Sequence, residues 1–275
     1  MFTTFARKFL TMEKQLLFNG HSVNYSVEGS GPAMVLLHGF LENLNMWDDF
    51  SSALSKMNKV IAIDLPGFGK TDLFSENNSM ELMADTVNAV LEKEEIKYCL
   101  LTGHSMGGYV ALAFAKKYAA KLKGLVLFHS HAAADDEQGK INRNRTIEIV
   151  KKNHKDFIAG FIPSLFAEQN IQKYHKEIEE AKAVSLQTSA EGVIAALAGM
   201  RDREDHTSLL KALDIPVLFI AGKQDSRITP DKILPQIALP KHAEALILDG
   251  TGHMGFIEAR KQTLRTLAHF GIKWF

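Results

Sequence analysis

"LLTGHSMGGYVALAFAKKY" (residues 100–118) sets an apolar run directly against a strongly helical one, with a serine among glycines between them. Tyr98 to Leu101 read as a buried strand, and Val110 onward is rich in good helix formers. Gly103-His104-Ser105-Met106-Gly107 therefore has to turn a strand into a helix within a few residues. In so tight a turn the central residue is strained, and the positions two before and two after it approach each other closely. Only small side chains fit there, and Gly103 and Gly107 occupy both places. Ser105 is thereby lifted clear of the backbone just ahead of the positive end of a helix dipole. The competing reading is a glycine-rich turn that happens to carry a serine. What separates the two is whether the rest of the chain supplies a base, an acid and oxyanion donors.

Working outward, the apolar runs alternate with helical ones. Asn19-Gly20 between two alternating stretches in "KQLLFNGHSVNYSVEGSG" predicts a hairpin. "AMVLLHGF" (33–40), "KVIAIDLPGFG" (59–69), "YCLLTGHS" (98–105) and "LKGLVLFHS" (122–130) read as strands apolar throughout. "MWDDFSSALSKM" and "SMELMADTVNAVLEKEEI" read as helices, the second capped by Ser79. Such alternation implies an α/β fold with a mostly parallel, doubly wound sheet covered on both faces. From about His131 to Leu210 the strands stop and the chain reads as helices. The alternation resumes with "IPVLFIAGKQD" (215–225), a helix from about Pro230, "AEALILDGTGH" (243–253) and a last helix from about Gly255. The expected organisation is a core of residues 1–130 and 211–275 with a helical cap inserted at 131–210. A block inserted there emerges at the sheet edge where open α/β sheets bind ligands.

A serine hydroxyl needs a base to take its proton and an acid to orient the base. His253, in the glycine-rich loop "DGTGHMG", is the expected base, and Asp225, in "KQDSRITP", the expected acid. Ser105, Asp225 and His253 each follow a predicted parallel strand, so all three fall on one edge of the sheet. Rivals exist among the 11 histidines. His129 and His131 also follow a strand, but no strand-end acid is evident for them. Asp249 sits too close to its strand to reach round to His253. Asp135 or Asp136 would serve if the acid came from the preceding strand. His38 is read as a loop-orienting residue. The oxyanion donors are expected to be the backbone N–H groups of Met106 and Phe40. Phe40 would also wall the substrate pocket, with Phe157, Phe161 and Phe166 from the cap. That apolar face favours an uncharged, moderately apolar substrate. No paired arginines offer themselves for a dicarboxylate, although any of Arg201, Arg203 and Arg227 could bind a carboxylate.

Composition bounds the rest. The chain has 275 residues, 46% hydrophobic and 23% charged, with 32 basic and 32 acidic side chains. That balance gives no basic field for nucleic acid. No run reaches the length of a membrane span. The single cysteine, Cys99, excludes an internal disulfide and reads as a buried, inert thiol, which suits a reducing, cytoplasmic setting. "DLPGFGKT" (64–71) ends like a phosphate-binding loop, but Asp64 stands where that loop needs glycine. Metal motifs are absent from the sequence, and no cofactor is implied. Residues 1–11 contain no acid, and Met12 is read as the working start.

With "HGF" (38–40), "DLPGFGKT" (64–71), "GHSMGG" (103–108), "GKQDSRITP" (222–230) and "GTGH" (250–253) in this order, the chain resembles the α/β-hydrolase superfamily from about residue 14 to its end. The resemblance implies a sheet of about eight strands, with Ser105 as nucleophile, Asp225 as acid and His253 as base. "EGVIAALAGMRDRED" looks like the end of the cap in small esterases, enol-lactonases and cofactor-free haloperoxidase-like members. Serine at the elbow disfavours the epoxide hydrolases and haloalkane dehalogenases, which use aspartate there. The expected function is hydrolysis of small carboxylic esters through an acyl-enzyme. Lactone, thioester or C–C bond hydrolysis, perhydrolase-type chemistry and ligand reception on the same fold are the alternatives.

Overall fold

The apolar runs form the sheet. In the computed structural model, which describes residues 12–275, eight strands take the order β1-β2-β4-β3-β5-β6-β7-β8. They are β1 (Met12–Phe18), β2 (His21–Gly29), β3 (Ala33–Leu37), β4 (Lys59–Ile63), β5 (Cys99–His104), β6 (Leu122–Phe128), β7 (Val217–Gly222) and β8 (Ala243–Leu248). The expectation about residues 1–11 lies outside the described residues. Pairing is antiparallel for β1·β2 and β2·β4 and parallel from β4 across to β8. The hairpin turns at Asn19 and Gly20, both with positive φ.

Central strands β3, β5 and β7 are buried at every residue, because helices cover both faces. The edge strand β8 departs from the expectation of strands apolar throughout. Its residues alternate between exposed and half-buried as far as Leu248, since it has one neighbour and one covered face. The helices are α1 (Asp48–Leu54), α2 (Met80–Lys93), α3 (Met106–Tyr118), α4 (Glu137–Phe161), α5 (His175–Ser185), α6 (Ala190–Asp202), α7 (Thr207–Ala212), α8 (Pro230–Ile237), α9 (Gly255–Glu258) and α10 (Arg260–Trp274). Ser79 caps α2 by accepting from Leu82 N–H. Cys99 is buried, and burial raises its thiol pKa to about 12. No helix among the described residues is long and apolar enough to cross a membrane.

Helices α4 to α7 fill the interval between β6 and β7, and they are fastened to strand-end loops by specific bonds. Ser185 Oγ donates to Leu41 O after β3 at 2.9 Å. Asn78 N–H, from the segment leading into α2, donates to Ala195 O in α6 at 3.2 Å. His253 N–H, after β8, donates to Leu165 O at 2.7 Å. The block thus covers the C-terminal ends of the parallel strands. A kink at Asn153 (φ −155°, ψ 81°) breaks α4 into two segments.

The crossing of β5 and α3 is very close. A Cβ at Gly103 would stand 2.1 Å from Gly107 O, and one at Gly107 would stand 2.6 Å from Leu37 O. Gly160, by contrast, has nothing within 4 Å of its Cβ position. Gly103→Ala is therefore expected to cost about 3 kcal/mol or more, or to abolish folding. Gly160→Ala, inside a helix, should be neutral or stabilising by up to about 1 kcal/mol. Urea unfolding of the two variants checks this, and a Gly103→Ala protein as stable as wild type refutes the reading of the turn.

Candidate active site

Ser105 sits at the tip of the β5–α3 turn with φ 48° and ψ −112°, a strained backbone for a residue bearing a Cβ. The strain is held from both sides. Ser105 N–H donates to Phe128 O at 2.9 Å, and Ser130 Oγ donates to Ser105 O at 2.8 Å. Met106 opens α3, so its N–H belongs to the first turn, which has no intrahelical acceptor. Phe40 follows Gly39 in the turn after β3, where Gly39 N–H donates to Glu42 Oε2 at 2.7 Å.

Asp225 and His253 meet as expected from their strand ends. His253 Nδ1–H donates to Asp225 Oδ2 at 2.7 Å. Asp225 Oδ1 accepts from the N–H groups of Arg227 (2.8 Å) and Ile228 (2.9 Å). The fourth bond corrects the sequence reading. His129, for which no acid was evident, donates from Nδ1 to the same Asp225 Oδ2 at 2.9 Å. It could do so because its own strand end and that of Asp225 are neighbours, with His129 N–H bonded to Ile220 O at 2.7 Å. Burial opposes ionisation of Asp225, but the charge of His253 and the hydrogen bonds from His129 and His253 prevail and hold its carboxyl well below the usual range. Burial dominates at His129 and lowers its pKa to about 4, so it is neutral at neutral pH. His129, Asp225 and His253 also group closely enough to hold a metal ion. However, both imidazole Nδ1 atoms already donate hydrogens to the carboxylate, which leaves no lone pair there for a metal.

A second buried acid braces the loops. His104 donates from Nδ1 to Glu42 Oε2 at 2.9 Å and from Nε2 to His253 O at 3.1 Å. Both ring nitrogens face acceptors, which only imidazolium satisfies. Burial works against its charge, yet Glu42 outweighs burial and raises the His104 pKa. The sequence reading assigned no role to either residue.

The rivals resolve differently. His38 accepts from Leu65 N–H at Nε2 (2.9 Å) and donates from Nδ1 to Gly39 O (2.8 Å), which is loop-orienting work. Asp249 is exposed beside Lys223. Asp136 caps α4 through Gly139 N–H, and Asp135 is engaged by Arg143 and Arg203. Asp64 ties Asn24, Leu44 and Lys70 together, so the phosphate-loop lookalike is a structural turn.

Ser105 and His253 open into one cavity of about 450 Å³. Phe40, Phe157 and Phe161 line it, with ring centroids 5.9 Å apart for Phe40–Phe161 and 5.2 Å for Phe157–Phe161. Phe166 lies outside this lining. It is buried beside Tyr174, ring centroids 6.3 Å apart, and Leu165 faces the cavity instead. The reason is local: α4 ends at Phe161, and a short turn from Pro163 re-aims the side chains beyond it. The arginine reading is also corrected, since Arg143 and Arg227 both line the cavity. Arg201 is on the surface, paired with Asp202. A separate cavity of about 270 Å³ lies near Met46, Phe50 and Ala181 and contains neither Ser105 nor His253.

A family model described as alpha/beta hydrolase fold matches residues 32–260. The chain is 29% identical over 249 residues to the dihydrolipoyllysine-residue acetyltransferase component of the acetoin cleaving system of Pseudomonas putida. That match covers 88% of this chain but only 64% of the relative's length. It is 27% identical over 266 residues to a pimeloyl-[acyl-carrier protein] methyl ester esterase of Aeromonas hydrophila, covering 90% of this chain and 99% of that protein. Among solved structures, a malate-bound thermophilic esterase from Thermogutta terrifontis superimposes with a TM-score of 0.89 at 29% identity, covering 96% of this chain and 98% of that one.

The buried histidines set a pH dependence. His129 and His131 both have folded pKa values lowered to about 4 from 6.5, principally by burial. Unfolding lets them bind protons, so the stability they confer is full above about 6.5 and is lost as pH falls toward about 4. Unfolding free energy measured by urea titration should therefore decline across that window. His129→Asn and His131→Asn should each flatten the decline, and an unchanged slope in both would refute the assignment.

Proposed function

The chain belongs to the alpha/beta hydrolase fold family, and from that premise we propose that it is a serine carboxylesterase acting on small esters through an acyl-enzyme. The observation that carries this reading is the 2.7 Å bond from His253 Nδ1 to Asp225 beside a strained, cavity-facing Ser105. With Nδ1–H committed to the buried carboxylate, the proton-accepting nitrogen of His253 is Nε2.

In the proposed reaction Ser105 Oγ attacks the ester carbonyl carbon as His253 Nε2 takes the hydroxyl proton. The carbonyl oxygen becomes an oxyanion, which receives hydrogen bonds from the N–H groups of Met106 and Phe40. Each such donor contributes about 3 kcal/mol to the transition state. Collapse breaks the bond to the alkoxy oxygen, and imidazolium returns its proton to the departing alcohol. Water, deprotonated by His253, then attacks the acyl carbon and releases the acid and Ser105. Asp225 stays ionised throughout, because four donors stabilise its negative form. A lactone fits the same steps, its alkoxide leaving group remaining tethered to the acyl chain.

Residues 131–210 act in this reading as a cap that walls the cavity, with Phe157 and Phe161 against the substrate part remote from the carbonyl. The Thermogutta terrifontis esterase and the Aeromonas hydrophila methyl ester esterase support ester hydrolysis as the chemistry.

Ser105→Ala is expected to lower kcat/KM for a short-chain aryl ester by roughly 10⁴-fold or more with the Tm retained. A phosphonate ester should label Ser105 in the wild type, as read by peptide mass analysis. Full activity in Ser105→Ala, or labelling elsewhere with Ser105 untouched, refutes the reading. Asp225→Asn should cost up to about 10⁴-fold by favouring the wrong tautomer of His253, measured with the same ester.

A further inference from the structure

The cavity lining is of two chemical kinds, aromatic and cationic, and α4 contributes to both. Past the kink at Asn153, Phe157 and Phe161 present an aromatic wall. Before it, Gly139, Asn142, Arg143 and Thr146 follow the spacing of a single helical face, and all line the cavity. Arg143 is fixed there by donating from Nε to Asp135 Oδ2 at 2.9 Å. Nε is only one corner of the guanidinium, so the other donors of the fork remain.

Arg227 enters from the loop after β7. Its backbone N–H serves Asp225, while its side chain turns toward the cap. The guanidinium lies 4.6 Å from the Phe161 ring centroid and donates to Ser164 Oγ at 2.5 Å. Among the described residues no carboxylate pairs with it. Lys232 also lines the cavity without an ion-pair partner among those residues.

The charges do not balance locally. Asp135 is shared between Arg143 and Arg203, and the other acid in the lining, Glu42, is taken up by His104. His131, also in the lining, registers the excess. Burial lowers its pKa, and the charges of Arg203, Lys232 and Arg143 lower it further.

Resting on the esterase reading, the geometry points to a substrate that carries a carboxylate at the end remote from the scissile carbonyl. The substrate class is thus a monoester of a short dicarboxylic acid, with Arg143, Arg227 and Lys232 receiving the free carboxylate. Guanidinium suits this role, since its planar fork matches a carboxylate in two parallel bonds. Arg227 is also oriented in advance by Phe161 and Ser164, so little of its freedom is lost on binding. The volume of about 450 Å³ leaves room for a chain of a few carbons between the reacting carbonyl and the free carboxylate. Hydrolysis breaks the acyl–oxygen bond and releases the alcohol and the dicarboxylate.

The test compares the para-nitrophenyl monoester of glutaric acid with para-nitrophenyl valerate, which has the same chain length and no charge. Wild type is expected to favour the monoester in kcat/KM by about tenfold or more at low salt, falling in high salt. Arg227→Gln and Arg143→Gln should each bring the ratio toward unity, with Arg227→Lys between. Both rates are taken on one preparation, so the folded fraction cancels. Turnover of valerate without preference for the monoester, or a preference untouched by the arginine variants, overturns the proposal and leaves the esterase reading standing. If neither ester turns over, the esterase reading fails. Calorimetric titration of the Ser105→Ala protein with glutarate then decides the anion end alone. Binding that is lost in Ser105→Ala/Arg227→Gln upholds it, and no binding overturns it.

Discussion

One buried carboxylate holds three strand ends in register. Asp225, 3% exposed, accepts two N–H groups from its own loop after β7, one imidazole from the end of β6 and one from the loop after β8. A carboxylate removed from water must recover its lost hydration as hydrogen bonds. Here the groups that do so are the ones whose positions matter. His253 is oriented by its bond to Oδ2, and His129 holds the same oxygen. Taking away any one donor leaves a buried charge less compensated, so the positions of Asp225 and His253 are set together.

Glu42 performs the corresponding task on the other side of Ser105. It accepts from Gly39 N–H in the turn that carries Phe40 and from His104, whose other ring nitrogen donates to the carbonyl of His253. Buried ion pairs add little net stability when weighed against apolar packing, but they fix geometry. This pair joins the turn after β3, the residue preceding Ser105 and the loop after β8. Both acids reach His253, Asp225 through its ring and Glu42 through His104.

The elbow, the hairpin and the strand order of burial were legible because each is a local pattern. Glycines flank a serine between strand and helix, Asn-Gly sits between alternating runs, and long apolar runs mark strands covered on both faces. Ser105, Asp225 and His253 were legible because parallel strands bring their C-terminal ends to one edge. His129 was not, since its partner lies in the loop beyond another strand, and only the β6·β7 register brings the two side chains together. The 139, 142, 143, 146 spacing was present in the sequence, but a helical face has a function only once its docking is known. Phe166 was misplaced by carrying the α4 periodicity past Phe161, where Pro163 starts a different turn.

The helical block is bonded directly to the loops that carry Asp225 and His253. Leu165 O holds the backbone N–H of His253 at 2.7 Å, and Ser164 and Phe161 hold the side chain of Arg227. Lifting this segment would release both His253 and the side chain of Arg227. These bonds tie Phe161, Arg227 and His253 to the α4–Pro163 junction. Within the loop after β7 the same economy appears in one residue. The main chain of Arg227 stabilises the acid, and its side chain, freed from that duty, faces the cavity.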